Sequence, residues 1–120
     1  MTQHEIQQAT EKAKAAFPKF ADWEYDNGAD EDFFGFSLWG EFSPDPDPED
    51  LSPKVFFITL DTYKDEWSGH LTIGRHSYLW TSADFGDAHL IDTEPCETIE
   101  DAITSLKTEM TNLFRAFSAI

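Results

Sequence analysis

A 34-residue stretch of this chain carries nearly half of its acids and no positive side chain. Between Lys19 and Lys54 there is no lysine, arginine or histidine. Like charges held close together repel, and water, protons, a metal or a cationic partner must relieve that repulsion. The stretch encloses the aromatic segment from Phe33 to Phe42, so it belongs to a folded domain. Its eleven carboxylates are Asp22, Glu24, Asp26, Asp30, Glu31, Asp32, Glu41, Asp45, Asp47, Glu49 and Asp50.

Size and composition narrow the class of protein. A chain of 120 residues predicts a single domain, residues 1–120, with one core. Its 11 Phe, 4 Trp and 3 Tyr argue against disorder despite a net charge of −16. That charge argues against binding to nucleic acid or anionic lipid, and no apolar run is long enough to span a membrane. The single cysteine, Cys96, fits a reducing compartment, and we expect a cytoplasmic monomer.

Two segments have the apolar spacing of amphipathic helices. Residues 3–17 repeat apolar side chains every three or four positions, and Pro18 ends the pattern. Thr98 predicts the N-cap of a second helix, with Asp101 three residues later as in a capping box. A wide apolar stripe runs from Ile99 to Phe117 and must pack against something.

The segments between the helices predict strands. They form an antiparallel meander of about four strands, and both helices are expected on one face of the sheet in an α+β domain. A short turn around Lys64 and Asp65 predicts a hairpin. The candidate strands are Phe33 to Phe42, Val55 to Tyr63, Trp67 to Ile73, Tyr78 to Thr81 and a short last one, His89 to Asp92.

This meander predicts where the acidic loops lie. The turn at Asp61 to Glu66 and the loop at Asp84 to Asp87 should return to the same end of the sheet as Asp26 to Asp32. The proline-rich segment 43–53, which cannot be a helix or a central strand, should lie at the other end. Two separate acidic ends would allow two separate sites.

Dense carboxylates in short loops are the ligands that calcium prefers, since Ca²⁺ takes six to eight oxygen atoms in tolerant geometry. An EF-hand is excluded, because a loop starting at Asp26 has Glu31 where glycine is needed and Ser37 where glutamate is needed. Asp84 and Asp87 are reserve ligands. The predicted Ca²⁺ ligands are Asp26, Asp30, Glu31 and Asp32 at one end, and Glu41, Asp45, Asp47, Glu49 and Asp50 at the other.

Other chemistry has little support in the sequence. The four histidines form no HExxH pair, one cysteine cannot build a cysteine-rich zinc site, and we expect each histidine to be at the surface or structural. Neither a GxSxG elbow nor a phosphate-binding loop is present, so we do not expect an enzyme.

In its acidity and in its loops DNGADED (residues 26–32) and PDPDPED (residues 44–50), the chain resembles the cyanobacterial calcium-binding proteins associated with heterocyst differentiation. The resemblance implies a cytoplasmic calcium-binding protein outside the EF-hand scheme, with more than one site. It carries no assignment of individual ligands.

Two hypotheses of function follow. The first is a cytosolic calcium buffer or sensor, and the alternative is an acidic interaction protein, such as a DNA mimic or a toxin-neutralising immunity protein, that binds a basic partner. The arrangement of the acids separates them. A mimic should spread its acids over one broad face, whereas a metal-binding protein should bring them within a few ångströms of each other.

Overall fold

The computed structural model describes residues 1–28, 35–44, 49, 54–75 and 88–119. The element order is helix, five strands, helix, so the predicted α+β fold is confirmed. The elements are α1 (Gln3–Ala16), β1 (Ala21–Asp26), β2 (Ser37–Phe42), β3 (Lys54–Tyr63), β4 (Glu66–Arg75), β5 (Ala88–Asp92) and α2 (Ile99–Ser118).

The five strands form one antiparallel sheet in the order β1-β2-β3-β4-β5. The expected number of about four was wrong by one, because β1 was not predicted. Its acids at Asp22, Glu24 and Asp26 alternate with Trp23 and Tyr25, which is the period of a strand. The predicted strand Tyr78 to Thr81 lies outside the described residues.

The helix ends are where the sequence places them. The Thr2 hydroxyl accepts the backbone N–H of Glu5, and the Glu5 carboxylate accepts the N–H of Thr2, which completes a capping box. At the start of α2, the Thr98 hydroxyl accepts the N–H of Asp101 at 3.1 Å. An ion pair between Lys12 and Glu100 joins the two helices at the surface.

Both helices cover the same face of the sheet, as predicted. The core contains Ile6, Ala9 and Ala13 of α1 together with Ala102 and Leu106 of α2. Their partners on the sheet are Phe36, Leu38, Ile58, Leu60, Leu71 and Ile91, which share one side of the strands.

A glycine lets α2 lie close to β4. A Cβ atom on Gly69 would stand 3.2 Å from the Leu106 side chain, so that side chain would have to shift by a few tenths of an ångström. At the other edge of the sheet, the Trp23 ring lies directly over Gly40. We call the side of the sheet away from the helices the second face.

Candidate functional site

The strand register decides which side chains share the second face. Residues paired across an antiparallel ladder project to the same side, and every second residue along a strand follows them. Pairing runs across the sheet in rows, which repeat about every 6.7 Å along the strands, while neighbouring strands are about 4.8 Å apart. The first row is Asp26, Ser37, Asp61 and Ser68; the second is Glu24, Trp39, Thr59, His70 and Asp92; the third is Ala21, Glu41, Phe57, Thr72 and His89.

Five carboxylates are spread over these rows. They belong to four different strands, and no lysine or arginine occupies a second-face position in the three rows of described residues. Glu24, Asp26 and Asp92 are exposed, while Glu41 and Asp61 are partly buried. Further along the same face Val55 and Phe57 are fully buried, so the accessible part of the second face is the part around His70.

His70 stands at the centre of the charged rows and contacts two carboxylates. Its Nε2 lies 3.0 Å from Asp61 Oδ2, and its Nδ1 lies 2.7 Å from Asp92 Oδ1. A carboxylate oxygen only accepts a hydrogen bond, so both imidazole nitrogens donate and His70 is a cation. The hydroxyl of Ser37 donates to the other oxygen of Asp61 at 3.4 Å.

A second imidazole joins the chain of contacts. His89 Nδ1 lies 2.7 Å from the same Oδ1 of Asp92 that His70 contacts. The two rings are nearly perpendicular, with centroids 6.1 Å apart. Four side chains on three strands thus form one continuous chain, Asp61–His70–Asp92–His89.

An irregularity in β5 makes this arrangement possible. His89 and Asp92 are three residues apart, and in a regular strand they would point to opposite faces. The register shifts between Leu71 and Thr72, whose partners are Ile91 and His89, so Leu90 is left without a paired residue. Such a bulge turns the preceding side chain to the other face, which brings His89 onto the second face.

The contacts shift the proton affinities of the two central groups. The hydrogen bond to Asp61 is the main cause that raises the pKa of His70 to about 9; burial opposes it, and the hydrogen bond to Asp92 adds to it. Burial also opposes ionisation of Asp92, but hydrogen bonds from His70 and His89 outweigh it and lower the pKa of this carboxyl group. The imidazolium of His70 therefore compensates part of the acidic charge at physiological pH.

A cleft opens above these residues. It has a volume of about 370 Å³, and its walls combine the ring of Trp39 with the hydroxyls of Thr59 and Thr72, beside Asp61 and the two imidazoles. Apolar walls with a few converging polar groups are typical of ligand sites. The cleft lies in the middle of the acid-bearing face.

The predicted calcium ligands can be placed only in part. Asp26 pairs with Ser37, whereas Glu41 pairs with Ala21, so these two acids stand at opposite ends of the β1–β2 ladder, as expected. Glu49 is exposed. The remaining predicted ligands Asp30, Glu31, Asp32, Asp45, Asp47 and Asp50, and the reserves Asp84 and Asp87, lie outside the described residues.

The hairpin turn at Lys64 and Asp65 lies at the Asp26 end of the sheet, as expected. Strand β5 begins at Ala88 opposite Ile73, close to the other end. The loop at Asp84 to Asp87, which we expected at the Asp26 end, lies outside the described residues.

The described residues bring together a different set of ligand atoms. Within the described ranges, one group of three His, Cys, Asp or Glu side chains could hold a metal ion. It consists of His70, His89 and Asp92, whose ligand atoms lie within 4.8 Å of one another. None of these three is among the nine predicted ligands. The pairing of Asp61 with Ser68 could have placed His70 beside Asp61 from the hairpin alone, but the spacing of His89 and Asp92 gives no such signal without the bulge.

Comparison of the chain with family models, curated proteins and solved structures finds no match. The geometry of the second face is therefore the basis for any assignment of function. Within the described residues, no helix is long and apolar enough to cross a bilayer.

Proposed function

We propose that this protein is an acidic interaction protein that binds a basic protein partner through the second face of its sheet. One observation carries the proposal: the carboxylates of Glu24, Asp26, Glu41, Asp61 and Asp92 are distributed over the three rows of that face. Distribution over a face, and not convergence on a point, is the arrangement that a charge-complementary surface requires.

The shape of the sheet supports this use. Its helix-covered face is occupied by the core, so the accessible part of the second face, around His70, is the surface that the sheet leaves for a partner. Five strands about 4.8 Å apart span about 19 Å across the sheet, which is wide enough to contact several basic side chains at once. Long-range attraction of a partner to a chain of net charge −16 would accelerate association and make it sensitive to salt.

The cleft offers a place for one basic side chain. Trp39 supplies an aromatic ring, and the Asp61 carboxylate stands beside it. An arginine or lysine can stack on such a ring and pair with such a carboxylate, and arginine does both through its planar guanidinium group. Aromatic and arginine contacts near the middle of an interface contribute most of its binding energy.

A fluorescent nona-arginine peptide tests the proposal, with chelator present so that no metal contributes. The variant Glu24→Gln with Asp26→Asn removes two charges from the second face, and Glu11→Gln with Glu109→Gln removes two exposed charges from the helices. Asn at position 26 keeps the oxygen that accepts the N–H of Gly28. Exposed pairs contribute roughly 0.2–1 kcal/mol each, so the loss of two should weaken binding of the second-face variant about two- to thirtyfold relative to the helix variant.

Equal loss of affinity in the two variants would contradict the proposal, because the peptide would then respond to net charge and not to a face. Insensitivity of the binding to salt would contradict it as well. The measurement is fluorescence anisotropy at low and at physiological salt, with circular dichroism to show that both variants keep the wild-type fold.

Calcium binding by the acidic loops is our second proposal, and the resemblance to the cyanobacterial proteins supports it. The placement of Asp26 and Glu41 at opposite ends of their ladder is compatible with two separate calcium sites. Calorimetric titration with calcium distinguishes the two functions. Heat at micromolar calcium would support the calcium proposal, and its absence would contradict it, whatever the result with the peptide.

A further inference from the structure

We propose that His70, His89 and Asp92 form a binding site for a divalent transition-metal ion of the zinc class, on the second face of the sheet. The site is separate from the calcium loops and uses none of their predicted ligands. Its ligand set, two imidazole nitrogens and one carboxylate oxygen, is one that zinc and iron(II) sites use when a position is left open for water or a substrate.

The ligand atoms already lie around one point. Both Nδ1 atoms stand 2.7 Å from Asp92 Oδ1, and the three ligand atoms lie within 4.8 Å of one another. Bonds of about 2.0–2.1 Å in a tetrahedral zinc site place neighbouring donor atoms about 3.3 Å apart. Each Nδ1 must therefore move about 0.6 Å away from the carboxylate oxygen.

The side chains that must move are free to do so. His89 and Asp92 have about half of their side-chain surface exposed, at 55% and 52%. Small rotations about their side-chain torsions then suffice, with no change in the sheet. A metal ion would take the place of the proton between His70 Nδ1 and the Asp92 carboxylate.

Asp61 holds the first ligand in place. It accepts the Nε2–H of His70 at 3.0 Å, which directs the opposite nitrogen, Nδ1, toward Asp92 and His89. A carboxylate that accepts the second N–H of a metal-binding imidazole is the usual outer contact of zinc sites, and it fixes both the ring orientation and the tautomer. Asp61 is thus a positioning residue for the site.

The bulge in β5 and the cleft beside the imidazoles both support a metal site at this place. The bulge at Leu90 is the feature that turns His89 onto the same face as Asp92, and bulges of this kind are frequent beside functional sites. The cleft lined by Trp39, Thr59 and Thr72 lies against the imidazoles, so a fourth position on the ion would open into it. Imidazole nitrogen favours zinc over calcium, which prefers oxygen ligands.

The test is a calorimetric titration of the chelator-treated full chain with zinc chloride, in the presence of excess calcium to occupy oxygen-only sites. We expect one zinc ion per chain. His89→Gln and Asp92→Asn should each weaken zinc binding by about tenfold or more, and Asp61→Asn should weaken it by a smaller factor. His4→Gln, at an exposed histidine of α1, is the matched control and should bind zinc as the wild type does.

Nitrogen-15 spectra of the imidazole rings identify the ligand atoms directly. Zinc should shift the Nδ1 signals of His70 and His89 and leave those of His4 unchanged. The proposal is overturned if zinc gives no heat, if His89→Gln binds zinc as tightly as His4→Gln does, or if the shifts appear at Nε2. Because His89 is exposed, its substitution leaves the core intact, and circular dichroism checks that the variant is folded.

Discussion

The charge on His70 makes the stability of the metal-free protein depend on pH. Its pKa is raised from 6.5 to about 9 by Asp61 and, after the opposing effect of burial, by Asp92. A group whose pKa is higher in the folded state stabilises that state fully below its unfolded pKa. The contribution is then lost as pH rises through the folded pKa. The window is therefore pH 6.5 to about 9, and the protein should lose stability on its alkaline side.

The size of the effect follows from the shift and the exposure of the groups. The rise of this pKa from 6.5 to about 9, at about 1.36 kcal/mol for each pKa unit, gives an upper limit of about 3 kcal/mol. The His70 side chain is 21% exposed, but Asp61 and Asp92 are more exposed, so solvent screens their attraction for the imidazolium. We therefore expect about 1–2 kcal/mol. The lowered pKa of Asp92 affects stability only in the acid range, where its contribution is lost as pH falls through that pKa.

Urea unfolding of the wild type and of His70→Gln, at pH 6 and at pH 9.5 with chelator present, measures this contribution. The difference in unfolding free energy between the two proteins should shrink by about 1–2 kcal/mol from the lower to the higher pH. His4→Gln removes an exposed histidine of α1 and should show no comparable change. General charge repulsion affects both proteins alike, so it cancels in the comparison. An equal difference in unfolding free energy between the wild type and His70→Gln at both pH values would therefore refute the reasoning.

Two further predictions concern packing and the hairpin, and urea unfolding at neutral pH measures both. Gly40→Ala should destabilise the fold by about 1–3 kcal/mol, because the new Cβ would lie 2.6 Å from the ring of Trp23. Gly69→Ala, with a nearest contact of 3.2 Å, should cost less, and the reverse order would contradict this account. Asp65→Gly should stabilise the protein by about 1 kcal/mol, since Asp65 has a positive φ of 62° that glycine adopts without strain, and an unchanged midpoint would argue against strain at this turn.

Most of the fold was predictable because its signals are local. The spacing of Ile6, Ala9 and Ala13 predicted α1, and Thr98 marked the start of α2. The hairpin between β3 and β4 followed from a two-residue turn between apolar strands. Strand β1 was not predicted, although Trp23 and Tyr25 alternate with acids. Most of its residues are exposed, so it lacks the alternation of apolar and polar residues that marks a half-buried strand.

The candidate site was not predictable in the same way, because it depends on register. Asp61 and His70 approach each other across the β3–β4 hairpin, but Asp92 is 22 residues beyond His70 and meets them only when β5 pairs with β4 in this register. His89 joins them through the bulge at Leu90, whose position the sequence does not mark. The density of acids predicts sites in the loops, whereas the pairing of strands decides which titratable groups are neighbours.

The second face is costly for stability, and that cost is an argument for its use. Two unit charges about 7–8 Å apart repel by about 0.5 kcal/mol even in water, and Glu24 has two such neighbours, Asp26 in the next row and Glu41 on the next strand. The helices bury the opposite face and supply the core, so nothing in the packing of Leu38, Ile58 or Leu71 requires acids on the far side. A sheet needing only solubility could mix lysines among those acids, as surfaces with both signs do. The cationic His70, fixed between Asp61 and Asp92, compensates part of this charge, and under our proposal a basic partner compensates more of it.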